Sequence, residues 1–502
     1  MPEKSIIVIG AGIAGLSAGC YGRMNGYRVR IFEQNTRPGG LCTSWERKGY
    51  TINGGLAFLG GSGPAVGLYR IWEELGVVPK IMMIDYACFV IVEGKEGQRF
   101  VMYTDLDSLE RHMKDLAPED EKTIETFIGA VRIFTEYQLP LEKAQELMTP
   151  YDKIKFIITH FPLFRNMMKW RKISIRDFSN RFKNPFLREA FFQAKAIFSD
   201  DLPMTMIFLL CAWSHLKSAG YPEGGALRFA RAIEMRFCEL GGKVVYNSRV
   251  DKIMIEDNKT VGIRLTDGIE HRSDYVISAA DGRSTLFGML DGKFIDQKIR
   301  SCYDNFPVTA SVLCVAFGCD RRFPDIPHSG VGLIYPLKEP VNIGGIEVKT
   351  LRPMIYNFDP SLAPEGKTLL RVVLPADYDY WAKINTNPDD YKAEKEKAAA
   401  IVLRLLEQRF PGISADVVMS DVATPLTFER YTGSWKGSII GWDLTTATAK
   451  KDLPKTLSGL KNFWMAGQWL EPGGGVPMVT LSGRNVIQLI ARADKKPFIT
   501  AI

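Results

Sequence analysis

The chain has 502 residues, 46% hydrophobic and 24% charged, which excludes a disordered or low-complexity protein and exceeds what one ordinary core organises, so two domains are expected. Its eight cysteines (Cys20, Cys42, Cys88, Cys211, Cys238, Cys302, Cys314, Cys319) form no CxxC pair or Cys/His cluster, and its five histidines are scattered. That pattern points away from a disulfide frame and a metal site, and fits a reducing compartment. The net charge of +7 is gathered in one segment rather than spread along the chain.

The first predicted element is an apolar strand, Ile6 to Ile9, running into Gly10-Ala11-Gly12-Ile13-Ala14-Gly15. The preceding Met1-Pro2-Glu3-Lys4 is too weakly charged for this run to read as a secretion signal. A helix rich in small residues, Leu16 to about Asn25, and a second strand, Val29 to Phe32, end on Glu33. Strand, GxGxxG, helix and terminal acid in this order form a dinucleotide site. The glycines permit a tight turn and close approach to a pyrophosphate, whose charge the free N–H groups of the helix N-terminus receive. Glu33 is placed to accept from ribose hydroxyls, and an acid at this position disfavours a 2′-phosphate. Gly15-Leu16-Ser17-Ala18-Gly19 also matches the hydrolase pattern GxSxG, but Ser17 would lie inside the helix and not on an exposed elbow.

A plain nicotinamide dehydrogenase would continue into another strand–helix crossover. Here the chain makes a glycine-rich excursion with pairs at Gly39-Gly40, Gly54-Gly55 and Gly60-Gly61, suited to backbone lying against an extended ligand. Residues 107–148 read as helical. Between Asp152 and Arg176, seven basic residues (Lys153, Lys155, Arg165, Lys169, Arg171, Lys172, Arg176) face one acid, a local charge of +6 interleaved with Ile154, Phe156, Phe161, Phe164 and Trp170. This segment, 151–176, is a candidate membrane contact; the alternative is an ordinary helix pair with a solvated basic face. No other basic patch supports nucleic acid as a partner. Phe186 to Trp213 is either the wall of a long apolar tunnel or core packing. Its run Met206 to Trp213 is the longest purely apolar one, far short of the ~20 residues of a spanning helix.

Further on, strands are predicted at Lys243 to Asn247, Arg249 to Ile255, Val261 to Leu265 and Tyr275 to Ser278, and a sheet strand at Ala310 to Phe317. Near the end, "NFWMAGQWLEPGGGVPMVTLSG" sets Gly473-Gly474-Gly475 before a closing helix with Pro477 at an early position, where no N–H is required.

The motifs VIGAGIAGLSAG with Glu33, RPGGLCTSW followed by GYTINGG, GYPEGGALRFARAIEMRFCELGG, DYVISAADGRSTLF and AGQWLEPGGGVPMVTLSGRN resemble the FAD-containing carotenoid desaturases and isomerases, a group that includes the retinol saturases. The resemblance implies an α/β fold of the flavin amine oxidase kind. A discontinuous Rossmann-like FAD-binding domain (1–80, 221–300 and 455–502) would join a mixed α+β substrate domain (81–220 and 301–454). It implies FAD as cofactor, held by Gly10, Gly12, Ile13, Ala14, Gly15, Glu33, Gln34, Arg37, Gly39, Gly40, Leu41, Val250, Gly467, Gly475 and Val476. The N–H groups near Val476 and Met478 would favour negative charge on the flavin ring. The implied activity is desaturation, saturation or isomerisation of C=C bonds in an apolar isoprenoid, in a cytoplasmic protein that is soluble or peripheral on the inner membrane face. With no second GxGxxG unit, electrons would pass to or from a quinone, oxygen or a donor protein.

Two departures from the family are visible: Asn53 stands where Asp is common, and Glu471 where an aromatic residue or His is frequent. Buried beside a flavin, Glu471 would be a catalytic proton donor or acceptor. Two alternatives accompany the leading reading. One is flavin oxidation of an amine, with Trp435, Trp442 and Trp469 as an aromatic cage, or of another lipid such as an unsaturated fatty acid. The other is a non-enzymatic prenyl-lipid binding protein, as in the Rab GDP-dissociation inhibitors, which resemble this architecture.

Overall fold

A computed structural model describes residues 3–449 and 451–500; the outermost ends of the expected terminal segments, residues 1, 2, 501 and 502, and Lys450, lie outside the described residues. Ser5–Ile9 (β1) is buried on both faces from Ile6 onward, as a central parallel strand must be. It pairs in parallel with Arg28–Phe32 (β2), and beyond β2 lies Lys243–Val245 (β3). On its other side β1 pairs with Tyr275–Ser278 (β4), which pairs with Phe463–Met465 (β9). The five-stranded order β3-β2-β1-β4-β9 is thus assembled from segments far apart in sequence.

Ile13–Met24 (α1) leaves β1 and is buried along nearly its whole length, because the sheet covers one side and Val476–Ala493 (α6) the other. Two of three contacts join this helix pair, and the Ser482 one ties α6 to the loop after β9. Ser17 Oγ donates to the Thr480 carbonyl at 2.8 Å, Ser482 Oγ accepts from the Gly467 N–H at 2.8 Å, and Gly483 sits directly on the Ala14 carbonyl. Ser17 is fully buried by this bond, which accounts for the GxSxG match without any nucleophile.

A second, antiparallel sheet has the order β6-β7-β5-β8, from Ser311–Cys319 (β5), Pro353–Ile355 (β6), Thr368–Ala376 (β7) and Val417–Ala423 (β8). Leu313, Val315 and Phe317 of β5 pack with Val402, Leu405 and Leu406 of the long helix Pro388–Arg409. Alternation along the strand turns Val312 and Cys314 to the opposite face. Glu121–Thr135 (α2), Phe161–Trp170 (α4) and Met204–His215 (α5) share a core with Val90, Val92 and Phe100 of another sheet's strands, Cys88–Glu93 and Arg99–Tyr103, and the exposed Pro150–Thr159 (α3) leads into α4. Phe127, Phe134 and Trp170 each pack on Phe208, with centroids 5.8, 5.5 and 5.2 Å away.

Several predicted boundaries move. The first helix starts at Ile13 rather than Leu16, because the extended Gly12 already serves as its N-cap. The expected 107–148 helix is two helices, Leu106–Leu116 and α2, broken at Ala117-Pro118. Residues 136–148 are mostly non-helical. This arm is tied to α6, where Gln488 Oε1 accepts from the Ala144 N–H at 2.5 Å and Arg484 Nη1 donates to the Leu141 carbonyl at 2.6 Å. Strand β3 ends at Val245 because Asn247 turns through a left-handed φ of 53°. The β5 strand is shifted towards Cys319, and the short β9 was not foreseen.

A Cβ on residue 483 would overlap the Ala14 carbonyl and crowd the Ala18 N–H. Gly483→Val should cost about 1–3 kcal/mol, as overpacked sites do. Chemical denaturation measures it, and an unchanged midpoint would show that the helices separate freely.

Candidate active site

The N-termini of α1 and α6 end at one cavity of about 1110 Å³. Gly12 and Gly475 are their N-caps, both in extended conformation and both without a side-chain cap, so the first-turn N–H groups have no acceptor on the helix or its cap. Ile13, Ala14, Val476 and Met478 all line the cavity. A Cβ at Gly12 would meet nothing within 4 Å, whereas one at Gly15 would overlap the Gly10 carbonyl. Gly12 is open towards a ligand, and Gly15 holds the helix against the turn. Two uncapped N-termini beside an open glycine make a cradle for an anionic ligand.

At the end of β2, Glu33 is buried, its Oε2 accepting from the Ala11 N–H at 2.8 Å and its Oε1 from the Asn35 N–H at 2.9 Å. These bonds fix the carboxylate at the cavity edge and leave lone pairs for hydroxyl donors. Gly39 donates to the Ala11 carbonyl at 2.9 Å, which brings the second glycine stretch against the first. Ser248 donates its N–H to the Glu33 carbonyl at 2.8 Å, setting Val250 beside it.

Gly10, Gly12, Ile13, Ala14, Glu33, Gln34, Gly39, Gly40, Leu41, Val250, Gly467, Gly475 and Val476 all reach the cavity wall. Gly15, Arg37 and Glu471 do not. Gly15 is covered by Gly10, and Arg37 donates Nη1 to the Ser44 carbonyl at 3.1 Å. Glu471 is half-buried among Lys455, Asp452 and Glu146, where burial raises its carboxyl above the usual range. The wall is instead formed by its neighbours Pro472 to Gly475. Glu471, expected as a proton donor at the flavin, is thus not among the residues of the cavity wall.

The tryptophan cage is corrected in the same way. Trp442 and Trp469 pack edge to face at 5.0 Å, Trp442 is fully buried, and its Nε1 donates to the Trp469 carbonyl. Of the three tryptophans only Trp469 touches the cavity. Gly54, Gly55 and Gly60 line the cavity but also give room to Trp45, Leu41 and Trp213. Asn53 is wholly buried and structural, donating to the Leu56 carbonyl and accepting from the Ala226 N–H.

Sequence reasoning missed Arg249, Asp281, Arg283 and Gln468 on the nucleotide side, and Arg352 and Arg371 on the opposite wall. Burial raises the Asp281 carboxyl, against the pull of the Ser284 and Trp435 N–H groups that it accepts. The motif DYVISAADGRSTLF held Asp281 in plain sight, between β4 and the following turn. Nothing in the sequence marked Arg352 or Arg371, which reach the site only through sheet register.

The family profile for flavin-containing amine oxidoreductases matches residues 13–491. The chain belongs to that family. Its cofactor is FAD, and the glycine cradle, buried Glu33 and paired helix N-termini fit an adenine dinucleotide. The chain is 23% identical to a lycopene-forming phytoene desaturase of Pseudescherichia vulneris, covering 97% of this chain and 99% of that one. It is 24% identical to the chloroplastic prolycopene isomerase of Arabidopsis thaliana, covering 95% and 81%. Among solved structures, an oxidoreductase of Methanosarcina mazei shares the fold with a TM-score of 0.60 at 18% identity, covering 96% of this chain and 100% of that one.

Two predictions follow from the site. Glu33→Ala removes the acceptor of Ala11 and should lower FAD content of the purified protein by about tenfold, since a charged hydrogen bond is worth about 1.5–3 kcal/mol; full occupancy would show that Glu33 has no part in binding. Glu471→Gln should keep FAD content and turnover. Because its folded pKa is raised, Glu471 contributes stability below its ordinary pKa that is lost as pH rises through the raised value. The variant should therefore gain more in Tm at pH ~8 than at pH ~4 relative to wild type. Equal shifts at both would remove the burial argument.

Proposed function

We propose that this flavin-containing oxidoreductase exchanges hydride with a long apolar isoprenoid chain of carotenoid or retinoid kind, desaturating, saturating or isomerising its C=C bonds. The observation that carries this reading is the second wall of the cavity. From α5 it takes Met206, Leu209, Leu210 and Trp213, one stripe at helical spacing, while Ile207 and Phe208 turn into the core. Phe58, Phe134, Met167 and Phe198 extend it. Within the segment Phe186 to Trp213, α5 thus gives one face to the cavity and one to the core, which supports the reading of this wall as a substrate tunnel.

When bound, FAD supplies a two-electron centre that takes a hydride from C–H or returns one to C=C. The protein's own part is binding, orientation and exclusion of water. The lining carboxylates, Glu33, Asp251 and Asp281, belong to the nucleotide side, and the lining includes no histidine or lysine. A wall without carboxylate, histidine or lysine suits hydride exchange at carbon and offers an amine no counter-charge.

The reading extends to a membrane as the source of substrate and of a quinone or other electron acceptor. Helix α3 has no buried residue, with Tyr151 and Ile158 71% and 70% exposed, and Phe161 and Met168 of α4 are exposed beside Lys169, Arg171 and Lys172. Met167, next to the exposed Met168, lines the cavity, so an apolar surface patch and the apolar wall share one helix. Among the described residues no helix is long and apolar enough to cross a membrane, so such contact would be peripheral.

An absorbance spectrum with mass spectrometry of an organic extract tests the reading. Flavin bands near ~370 and ~450 nm with a co-extracted polyene are expected. Flavin with an amine or no polyene would move weight to the other substrates. Ile158→Glu with Phe161→Glu should abolish co-sedimentation with anionic vesicles while leaving FAD content intact; undiminished sedimentation would sink the membrane contact.

A further inference from the structure

The apolar wall carries two arginines without an acid to balance them. Register pairs Met354 of β6 with Arg371 of β7, and Cys314 of β5 with Val373 of β7. Side chains two apart on a strand share a face. Arg371 and Val373 therefore stand together, with Met354 opposite Arg371. Arg352, the residue before β6, continues the register opposite Val373. All of these line the cavity, and diagonal neighbours on one sheet face lie about 7–8 Å apart, within reach of a single small anion.

Arg371 is 6% exposed. Its Nη1 donates to the Asn53 carbonyl, Nη2 lies 3.7 Å from Met354 Sδ, and the guanidinium stands 5.7 Å from the Tyr356 ring centre. Its Nε has no partner among the described residues. Arg352 makes only a 3.4 Å bond from Nη2 to the Gln193 carbonyl, and burial without a counter-charge brings its pKa down to about 10. Neither forms an ion pair among the described residues. Asp359, the buried acid near Tyr356, is already engaged by the Gly224 N–H at 2.8 Å and by the Ser361 N–H and hydroxyl at 3.1 and 2.6 Å.

An unpaired guanidinium in an apolar wall is costly, and two on one face repel each other. An anion seated between them removes both costs. The uncapped N-termini of α1 and α6, at the parallel-sheet side, are the groups that would hold the FAD phosphates, which leaves this wall without an anion. Two guanidinium groups at the end of an apolar wall suit a planar, singly charged group with two oxygens carried on an apolar chain, which needs fewer donors than a doubly charged phosphate ester. We infer that this cavity takes an apolar chain ending in a carboxylate, whose oxygens are held by Arg352 and Arg371 while the chain lies along Met206, Leu209 and Leu210. The inference rests on the reading of this wall as the substrate site. It narrows the substrate to an acid, and the anchored end then decides which carbon meets the flavin.

The test uses the FAD-loaded protein and two matched pairs of probes: all-trans-retinoic acid with its methyl ester, and cis-9-octadecenoic acid with its methyl ester. Binding is read as the change in the long-wavelength flavin band. Each acid that binds should do so at least about tenfold more tightly than its ester, the worth of a charged hydrogen bond. Arg352→Gln should remove that preference by weakening the acid alone. Arg371→Gln should do the same where its FAD content equals wild type, and Arg352→Gln decides if it does not fold. Equal affinities for acid and ester, or a preference that survives Arg352→Gln, would overturn the anion site. A preference confined to the octadecenoic pair supports the anion site and removes the isoprenoid reading. Absence of binding by all four probes overturns both.

Discussion

The close crossing of α1 and α6 is the contact on which the site depends. Gly483 against Ala14, and Ser17 bonded to Thr480, hold two helices side by side with their N-termini at one cavity. The helices begin more than 450 residues apart in sequence. Uncapped N–H groups in the first turn of each are tolerable only where solvent or a ligand accepts from them. One crossing therefore creates both the packing demand and the vacancy of acceptors that an anionic cofactor answers.

Opposite this polar edge stands a wall with different chemistry. On the parallel-sheet side, carboxylates are locked by backbone N–H donors: Glu33 by Ala11 and Asn35, Asp281 by Ser284 and Trp435. On the second sheet, Arg352 and Arg371 stand among Val312, Cys314, Met354 and Val373, and α5 adds Met206, Leu209, Leu210 and Trp213. A long ligand bridging the two meets ordered dipoles at one wall and dispersion contacts at the other, so its orientation is set before any chemistry begins.

The nucleotide half was legible because its signals are local. The strand, glycine turn and acid at Ile6 to Glu33 need neighbours only a few residues away, and the observed elements agree to within a few residues. The helix start was misread because Gly12 caps by backbone alone, which leaves no side-chain mark. Residues 136–148 were misread because their order comes from Arg484 and Gln488, far along the chain. Glu471 misled for a related reason. Adjacency to the glycine loop is a sequence fact, but Glu471 lies off the cavity wall among Lys455, Asp452 and Glu146, which no motif connects to it. Arg352 and Arg371 were invisible because strand register, not motif, brings them to one face.

The parallel sheet has a consequence for synthesis. Strand β1 is made some 270 residues before its neighbour β4, and β9 and α6 come later still. Until those segments emerge, β1 has β2 beside it on one edge and nothing on the other, and the Ala14 carbonyl has no Gly483 to rest on. The growing chain must shelter an exposed apolar edge over that interval, and the two-helix cradle closes only once α6 is made, so assembly of the site is governed by long-range closure.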